Sequence, residues 1–358
     1  MTMTPLERFK LAAKLGVPDE VPVVIFATGH YIAWFAGLEE GEYWQDPVKK
    51  FEAQLKLQER FPDVMLYPGI WPDYSVVIEV SAFGCKIKWP RNASPQVSEH
   101  VKIDELIEMG PPDPFKDGLM PKALETYKYM MENIPSCYRE RYEYLDGWAI
   151  SLGPVDMAGI SLGYDTFFSS MYLNPEKIHR VMEITTETVI RYIKAQEKIG
   201  GKLKRYEIAD DGIGLISPEH FKEFALPYLR KIFSTFSYAI GILHCDADTS
   251  HLLEYIPEVG MNIFNLGPQV DIKVAKEKIG KKVCLMGNIP PIDIAGIPPS
   301  NTLLKGTPED VERICRYQIE AAKPGGGYIL TTGSGTARGT PDKNIEAMIK
   351  AAKKYGKY

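Results

Sequence analysis

A histidine stands beside a cysteine and close to two aspartates in the stretch GILHCDADTSHLL, residues 241–253. Side chains alternate between the two faces of a strand, so His244 and Asp246 share one face and Cys245 takes the other. We predict that His244 and Asp246 face a site, whereas Cys245 packs toward a helical layer. A lone histidine at a strand end is equally typical of a structural residue.

Carboxylates near this histidine in the sequence could complete a metal site. Glu207 and the pair Asp210-Asp211 end the preceding apolar run, and Glu223 lies in the helical pattern that follows. Glu223 falls outside the apolar stripe of its helix, which is also the position of a solvated residue. Two carboxylates and one imidazole are nonetheless a ligand set that leaves a zinc ion one open coordination position.

Eight short apolar runs alternate with longer amphipathic patterns and must position these residues. The candidate strands are 21–27, 63–68, 147–153, 202–209, 238–244, 261–267, 282–288 and 327–333. This alternation favours parallel pairing and predicts an α/β protein, a (β/α)8 TIM-type barrel whose functional residues gather at the carboxyl ends of the strands. A doubly wound open sheet is the alternative, but no G-x-G-x-x-G motif follows the first strand.

The remaining organisation of the chain is that of one decorated domain. No linker or internal repeat divides residues 1–358, so we predict a single barrel domain with N-terminal helical and rim insertions. The long segment 69–146 is the main insertion, and we expect it to fold over one mouth of the barrel.

Composition restricts the classes of function. The formal net charge of −5 and the lack of a Lys/Arg cluster argue against nucleic-acid binding. No apolar run approaches the length of a membrane span, and the N-terminus has no signal-peptide core. The five cysteines are odd in number and scattered, which favours free thiols in a reducing compartment. We therefore predict a soluble cytoplasmic protein without a membrane or nucleic-acid partner.

Five longer stretches resemble the uroporphyrinogen decarboxylase superfamily, and more closely its corrinoid-linked methyltransferase branch. These stretches are residues 151–182, 209–232, 242–260, 283–291 and 331–356. The resemblance implies a (β/α)8 barrel, in agreement with the strand count. Decarboxylases of the family carry Arg-Gln-Ala-Gly-Arg after the first strand, where this chain has ATGHY (27–31) without arginine. A polycarboxylate substrate would lack its guanidinium partners there.

The methyltransferase branch resembles this chain with one departure in the expected metal ligands. Thiol-methylating members bind zinc through a His-x-Cys pair and a later cysteine, and the matching positions here are His244, Asp246 and Ser334. The histidine is present and both thiolates are missing. A thiol substrate and the usual zinc site are therefore disfavoured by the resemblance.

The O-demethylase members of the same branch resemble it better, because they use carboxylate ligands. The resemblance implies a zinc-dependent methyltransferase that moves a methyl group from an aryl methyl ether to the cob(I)alamin of a partner corrinoid-binding protein. Its metal ligands would be Glu207, Glu223 and His244, while Asp246 and Asp210 would act as catalytic groups or reserve ligands.

A substrate ring would be held by residues near the carboxyl ends of the strands. The candidates are His30, Tyr31, Trp34, Trp71, Tyr74 and Asn288. Packing within the barrel rim is an equal alternative for each aromatic residue. Methyl transfer from another donor, such as a methylamine or thioether, transfer toward a thiol, and a barrel without metal catalysis also stay open.

Overall fold

A parallel barrel forms the centre of the computed structural model, which describes residues 3–294 and 296–358. The strands are β1 (Val24–Phe26), β2 (Met65–Tyr67), β3 (Lys86–Lys88), β4 (Gln96–Glu99), β5 (Trp148–Leu152), β6 (Arg205–Ala209), β7 (Ile240–Cys245), β8 (Ile263–Leu266), β9 (Cys284–Ile289) and β10 (Tyr328–Thr332). Strands β5 to β10 pair in sequence order as one parallel sheet, and β1 pairs in parallel with β2. A parallel bridge between Val23 and Leu330 joins these two sheets. The eight predicted strands and the predicted TIM-type barrel are confirmed.

Helices surround the barrel and fill its rim. They are α1 (Pro5–Ala13), α2 (Gly29–Ala36), α3 (Glu40–Gln45), α4 (Pro47–Arg60), α5 (Ile78–Ala82), α6 (Ile103–Met109), α7 (Met120–Asn133), α8 (Ser136–Tyr142), α9 (Pro154–Leu162), α10 (Tyr164–Leu173), α11 (Pro175–Gly200), α12 (Pro218–His220), α13 (Leu226–Thr235), α14 (Ile272–Ile279), α15 (Pro308–Ala322) and α16 (Asp342–Tyr355). None of these helices combines the length and the apolar character that a membrane span needs.

Local sequence explains where several helices begin and end. Thr4 and Glu7 form a reciprocal capping box at α1, which satisfies two backbone donors of the first turn. Pro227 lies in the first turn of α13 and ends the regular hydrogen bonding of the preceding helix, where a π-helical turn spans Phe221–Ala225. The long helix α11 has Pro175 at its first position, where no backbone N–H is needed, and the Asn174 side chain before it makes no capping hydrogen bond.

Alternation along the strands decides which side chains face the barrel interior. In β6, Tyr206 packs against Phe233 of α13 with ring centroids 5.5 Å apart, so its neighbour Glu207 points inward. In β7, His244 lines the interior cavity, while Cys245 is fully buried and its Sγ donates to the Asp211 carbonyl at 3.6 Å. His244 and Cys245 therefore point in opposite directions, as predicted.

The insertion between β2 and β5 covers one side of the barrel mouth. It holds helices α5 to α8 and the antiparallel hairpin of β3 and β4. Trp71, Ser75 and Glu79 from its first part line the interior cavity. The expectation that residues 69–146 fold over the mouth agrees with this arrangement.

Candidate functional site

His244, at the end of β7, is held in one orientation by Asn265 of β8. Its Nδ1 lies 2.7 Å from Asn265 Oδ1, and the Asn265 amide donates to the Met286 carbonyl at 2.8 Å. Because that carbonyl fixes which end of the amide is the donor, Asn265 Oδ1 must accept a hydrogen bond from Nδ1–H. The lone pair of His244 is then on Nε2, which lies 3.6 Å from Asp211 Oδ1. A histidine fixed in this way is prepared to bind a metal.

Asp211, His244 and Asp246 form a cluster whose potential ligand atoms all lie within 4.8 Å of one another. The Asp246 backbone N–H donates to Asp211 Oδ1 at 2.8 Å, and Ser334 Oγ donates to Asp246 Oδ2 at 2.8 Å. Tetrahedral zinc with bonds of about 2.0 Å holds its ligands about 3.3 Å apart, so small inward movements suffice. The three residues fit a divalent cation with an open fourth position.

The electrostatics of the cluster also favour a cation. Burial, followed by the negative charges of Asp156 and Asp246, raises the pKa of Asp211 well above its ordinary value. Like charges held close together repel one another, and a bound cation removes that repulsion. The donor set therefore matches the zinc ion that the sequence resemblance implies.

A cavity of about 220 Å³ opens beside this cluster inside the barrel. Asp211 and His244 form part of its floor, together with Glu207, whose Oε2 has no hydrogen-bond partner. The Tyr67 hydroxyl approaches Glu207 without forming a hydrogen bond of normal geometry. Burial raises the pKa of Glu207 to about 7, and the nearby His244 partly opposes that shift. The unpaired Oε2 is a polar position that a bound ligand would satisfy.

The upper walls of this cavity are mainly apolar and aromatic. The larger side chains among them are Phe26, Trp44, Trp71, Ile78, Ile150 and Leu152. His30 closes the rim, where its Nδ1 lies 2.6 Å from Glu40 Oε2. A polar floor under flat apolar walls is typical of a site for a small ring-containing molecule.

A second and more open cavity, of about 600 Å³, lies on the other side of Asp246. Asp246 and Ser334 line it together with Ile292 and Arg338, and His30 lines both cavities. The cluster of Asp211, His244 and Asp246 therefore contributes two residues to the first cavity and Asp246 to the second. This geometry allows two reactants to approach the same centre from separate cavities.

Three predicted acidic residues lie outside the cluster, namely Glu207, Asp210 and Glu223, and the predicted ligand Glu207 lines the cavity floor instead. Asp210 is fully buried and accepts the backbone N–H groups of Val155 and Asp156 at the start of α9, at 3.3 and 2.7 Å. Its carboxylate therefore supports a helix terminus, contrary to the predicted catalytic role. Consecutive side chains diverge at the end of β6, so Asp211 reaches the cavity in its place.

Glu223 lies at the protein surface, contrary to its predicted position as a metal ligand. Its side chain is 51% exposed, and it pairs with His179 of α11 at 3.5 Å. The residue does not line the cavity that holds His244. The position of Glu223 outside the apolar stripe of its helix already indicated a surface location. Asp211, which directly follows Asp210, was the acidic residue that the sequence offered as a ligand instead.

Three of the five predicted aromatic or histidine contacts pack away from the cavity. Tyr31 is fully buried under Trp34 and Phe35, and Trp34 is 38% exposed. Tyr74 is fully buried, and its hydroxyl lies 2.9 Å from Thr126 Oγ1. Tyr31, Trp34 and Tyr74 therefore take the alternative role of rim residues. His30 and Trp71 line the cavity.

Asn288 braces the backbone outside the main cavity. Its side-chain amide donates to the carbonyls of Gly267 and Val270 at 2.9 and 2.7 Å. These bonds occupy both amide hydrogens, so the predicted substrate contact is replaced by a structural one. Glu79, in contrast, lines the cavity and escaped prediction; its signal was a lone acid within the apolar run SVVIEV (75–80).

Comparison with known proteins places the chain in a family. Residues 4–355 match the family described as Uroporphyrinogen decarboxylase (URO-D). The chain therefore belongs to the uroporphyrinogen decarboxylase family, as the sequence resemblance indicated.

Individual relatives and one solved structure are similar over most of the chain. It is 25% identical to a methylcobamide:CoM methyltransferase, MtbA, of Methanosarcina mazei, and the matched region covers 98% of each protein. It is 26% identical to a methylated-thiol–coenzyme M methyltransferase of the same organism, over 79% of this chain and 71% of the relative. The structure of a methyltransferase from Methanosarcina mazei superposes with a TM-score of 0.81 at 24% identity, covering 99% of each chain. That structure shares the fold.

Proposed function

We propose that this protein is a corrinoid-dependent methyltransferase that removes the methyl group of an aryl methyl ether. The acceptor is the cob(I)alamin of a partner corrinoid-binding protein. The observation that carries the proposal is the Asp211–His244–Asp246 cluster, which lies between an apolar cavity and a second, open cavity. The full-length similarity to a methylcobamide methyltransferase supports the class of reaction.

The ligand chemistry of the cluster favours an ether over a thiol. Two carboxylates and an imidazole are harder donors than thiolates, and oxygen ligands suit a metal that is to bind a further oxygen. Zinc held by Asp211, His244 and Asp246 would supply a Lewis acid for the ether oxygen. In this proposal Asp246 is a metal ligand, whereas the sequence first suggested it as a catalytic acid. Its orientation is set by the hydrogen bond from Ser334.

The protein's own side chains position the donor. Phe26, Trp44 and Trp71 hold the ring in the apolar cavity and exclude water from the reacting ether. Methyl transfer breaks the C–O bond with its electron pair left on the oxygen, which departs as phenolate. The electron pair of cob(I)alamin forms the new Co–C bond, so no other oxidant or reductant is needed.

The second cavity is the approach route for the corrinoid partner. It is open to the surface, and its edge carries Ile292, which is 46% exposed, beside Pro291. Arg338, on the same side, pairs with the buried Glu40, whose other oxygen binds His30. The contacts of Glu40 with Arg338 and with His30 therefore link this edge to the rim of the donor cavity.

One set of assays tests the proposal. The zinc-loaded protein is incubated with cob(I)alamin and a panel of methoxylated aromatics, thiols and methylamines, and methylcobalamin is measured by its absorbance. We expect turnover with at least one methoxylated aromatic and about one zinc per chain. Zinc content that is unchanged in His244→Ala would contradict the ligand assignment, and turnover on thiols or amines alone would contradict the donor class.

Methyl transfer involving a thiol is the second candidate function. It is favoured by the names of the two relatives, both of which act on coenzyme M. The missing thiolates argue against it, since Cys245, which follows His244 directly in the chain, does not line the cavity and donates to the Asp211 carbonyl. The thiol arm of the same panel decides between the two candidates.

A further inference from the structure

The cavity of about 220 Å³ beside the cluster, called the donor cavity here, has four acidic side chains and two histidines in its lining in the described part of the chain. Its carboxylates are Asp73, Glu79, Glu207 and Asp211, and no lysine or arginine lines it among residues 3–294 and 296–358. The two carboxylates of the metal-type cluster balance the charge of a divalent cation. An anionic group on the substrate would lie among these acidic side chains without a lysine or arginine partner, which is unfavourable.

Glu79 is the carboxylate in this cavity that is best prepared to bind a ligand. It comes from α5 in the insertion and is 3% exposed. Its Oε1 accepts hydrogen bonds from Ser151 Oγ at 2.8 Å and from the Leu152 N–H at 3.1 Å. These two bonds fix the plane of the carboxylate. Both donors bind Oε1, and no residue in the described part of the chain donates to Oε2, which leaves this second oxygen for a ligand.

A hydroxyl group is the ligand that suits Glu79. Burial raises the pKa of Glu79, while Ser151 and Leu152 oppose that shift. A hydroxyl both donates and accepts, so it forms a hydrogen bond with either protonation state of the carboxyl group. The apolar walls formed by Phe26 and Ile150 leave the rest of the ring uncharged.

We infer that the methyl donor is an uncharged methoxyphenol whose free ring hydroxyl binds Glu79 Oε2, and that carboxylated methoxybenzenes are excluded. This inference rests on the proposed function, because it names the substrate class of the same site. Glu79 is a specificity residue in this assignment, since it contacts the ring substituent and not the reacting methyl group.

Ligand binding tests the inference without a requirement for turnover. The zinc-loaded protein is titrated at pH 8 with 2-methoxyphenol, methoxybenzene and 4-hydroxy-3-methoxybenzoate, followed by calorimetry and by tryptophan fluorescence. We expect the uncharged methoxyphenol to bind at least tenfold more tightly than the benzoate. This comparison uses the unaltered protein, so it stands even where a variant fails to fold.

The variant Glu79→Leu removes the hydroxyl contact because leucine has a similar size and no hydrogen-bonding atom, and Glu223→Leu is the matched surface control. Loss of a hydrogen bond to a charged group weakens binding by about tenfold or more. We expect that loss for 2-methoxyphenol in Glu79→Leu, no more than a twofold change for methoxybenzene, and no change for either ligand in Glu223→Leu. Equal losses for both ligands would make Glu79 merely structural and overturn the inference.

The outcomes separate this inference from the proposed function. Equal binding and demethylation of 2-methoxyphenol and the benzoate would overturn the inference and leave the O-demethylation proposal in place. Failure of every methoxylated aromatic to bind or react would overturn both. Tighter binding of the benzoate would show that a cation reaches the cavity and would also overturn the inference.

Discussion

The two sides of the donor cavity are built in different ways. The side at the ends of β6 and β7 is polar and braced, with His244 fixed by Asn265 and Asp246 fixed by Ser334. The opposite side combines β1 with the insertion and presents Phe26, Trp71 and Glu79. The first side has the geometry of a metal site, whereas the second has the shape and charge of a selectivity surface. Changes to the two sides should therefore affect different measurements.

The largest expected effect distinguishes the adjacent aspartates at the end of β6. We expect Asp211→Asn to lose bound zinc and to lower the rate of cob(I)alamin methylation by at least about 100-fold, because a ligand is removed. Metal analysis and the methylcobalamin assay measure both quantities.

Asp210→Asn is the matched comparison for this prediction. It should keep its zinc and lose about 1–3 kcal/mol of unfolding free energy, since one of the two buried oxygens that accept backbone N–H groups becomes an amide nitrogen. Chemical denaturation measures that loss. Zinc loss from Asp210→Asn with retention in Asp211→Asn would reverse the assignment.

The next effect concerns Asn265, which touches no substrate. Without its Oδ1, the His244 ring loses its fixed orientation, so Asn265→Ala should lower zinc affinity by about 10–100-fold. Competition with a chelator measures the affinity. Asn265→Asp keeps an acceptor for Nδ1–H and should recover part of the loss; equal affinities in all three proteins would remove Asn265 from the site.

A smaller effect is expected on the selectivity side. Trp71→Ala removes one aromatic wall of the donor cavity, and we expect the KM for the aromatic donor to rise about three- to tenfold while zinc content stays at its original value. Steady-state kinetics with paired metal analysis test this. A variant that loses zinc would show that the two sides of the cavity are not independent.

The smallest effect is a pH dependence of stability at Glu79. Its pKa is raised in the folded protein, so the carboxyl group loses its proton at a lower pH in the unfolded chain than in the folded one. The contribution of Glu79 to the unfolding free energy therefore falls as the pH rises above the ordinary value of 4.5. Glu79→Gln lacks this titration. Thermal unfolding of the metal-free proteins between pH 5 and 8 should favour the variant increasingly as pH rises, and a constant difference would contradict the burial argument.

The sequence predicted one side of the cavity much better than the other. His244 and Asp246 share a face because strand alternation is a local rule, and the same rule excluded Cys245. Glu223 was wrongly placed because two elements that are close in the chain need not be close in space. Glu79 and Trp71 arrive from an insertion whose path follows no simple periodicity.

The amino-acid sequence by itself determined the eight strands, their parallel order and the inward orientation of His244, because these depend on periodicity within short segments. Tertiary structure alone decided that Asp211 joins the cluster, that Asp210 supports α9, and that Glu79 meets the cavity. The physical reason is distance: each of these contacts depends on how separate elements pack, and packing is set by the whole barrel at once.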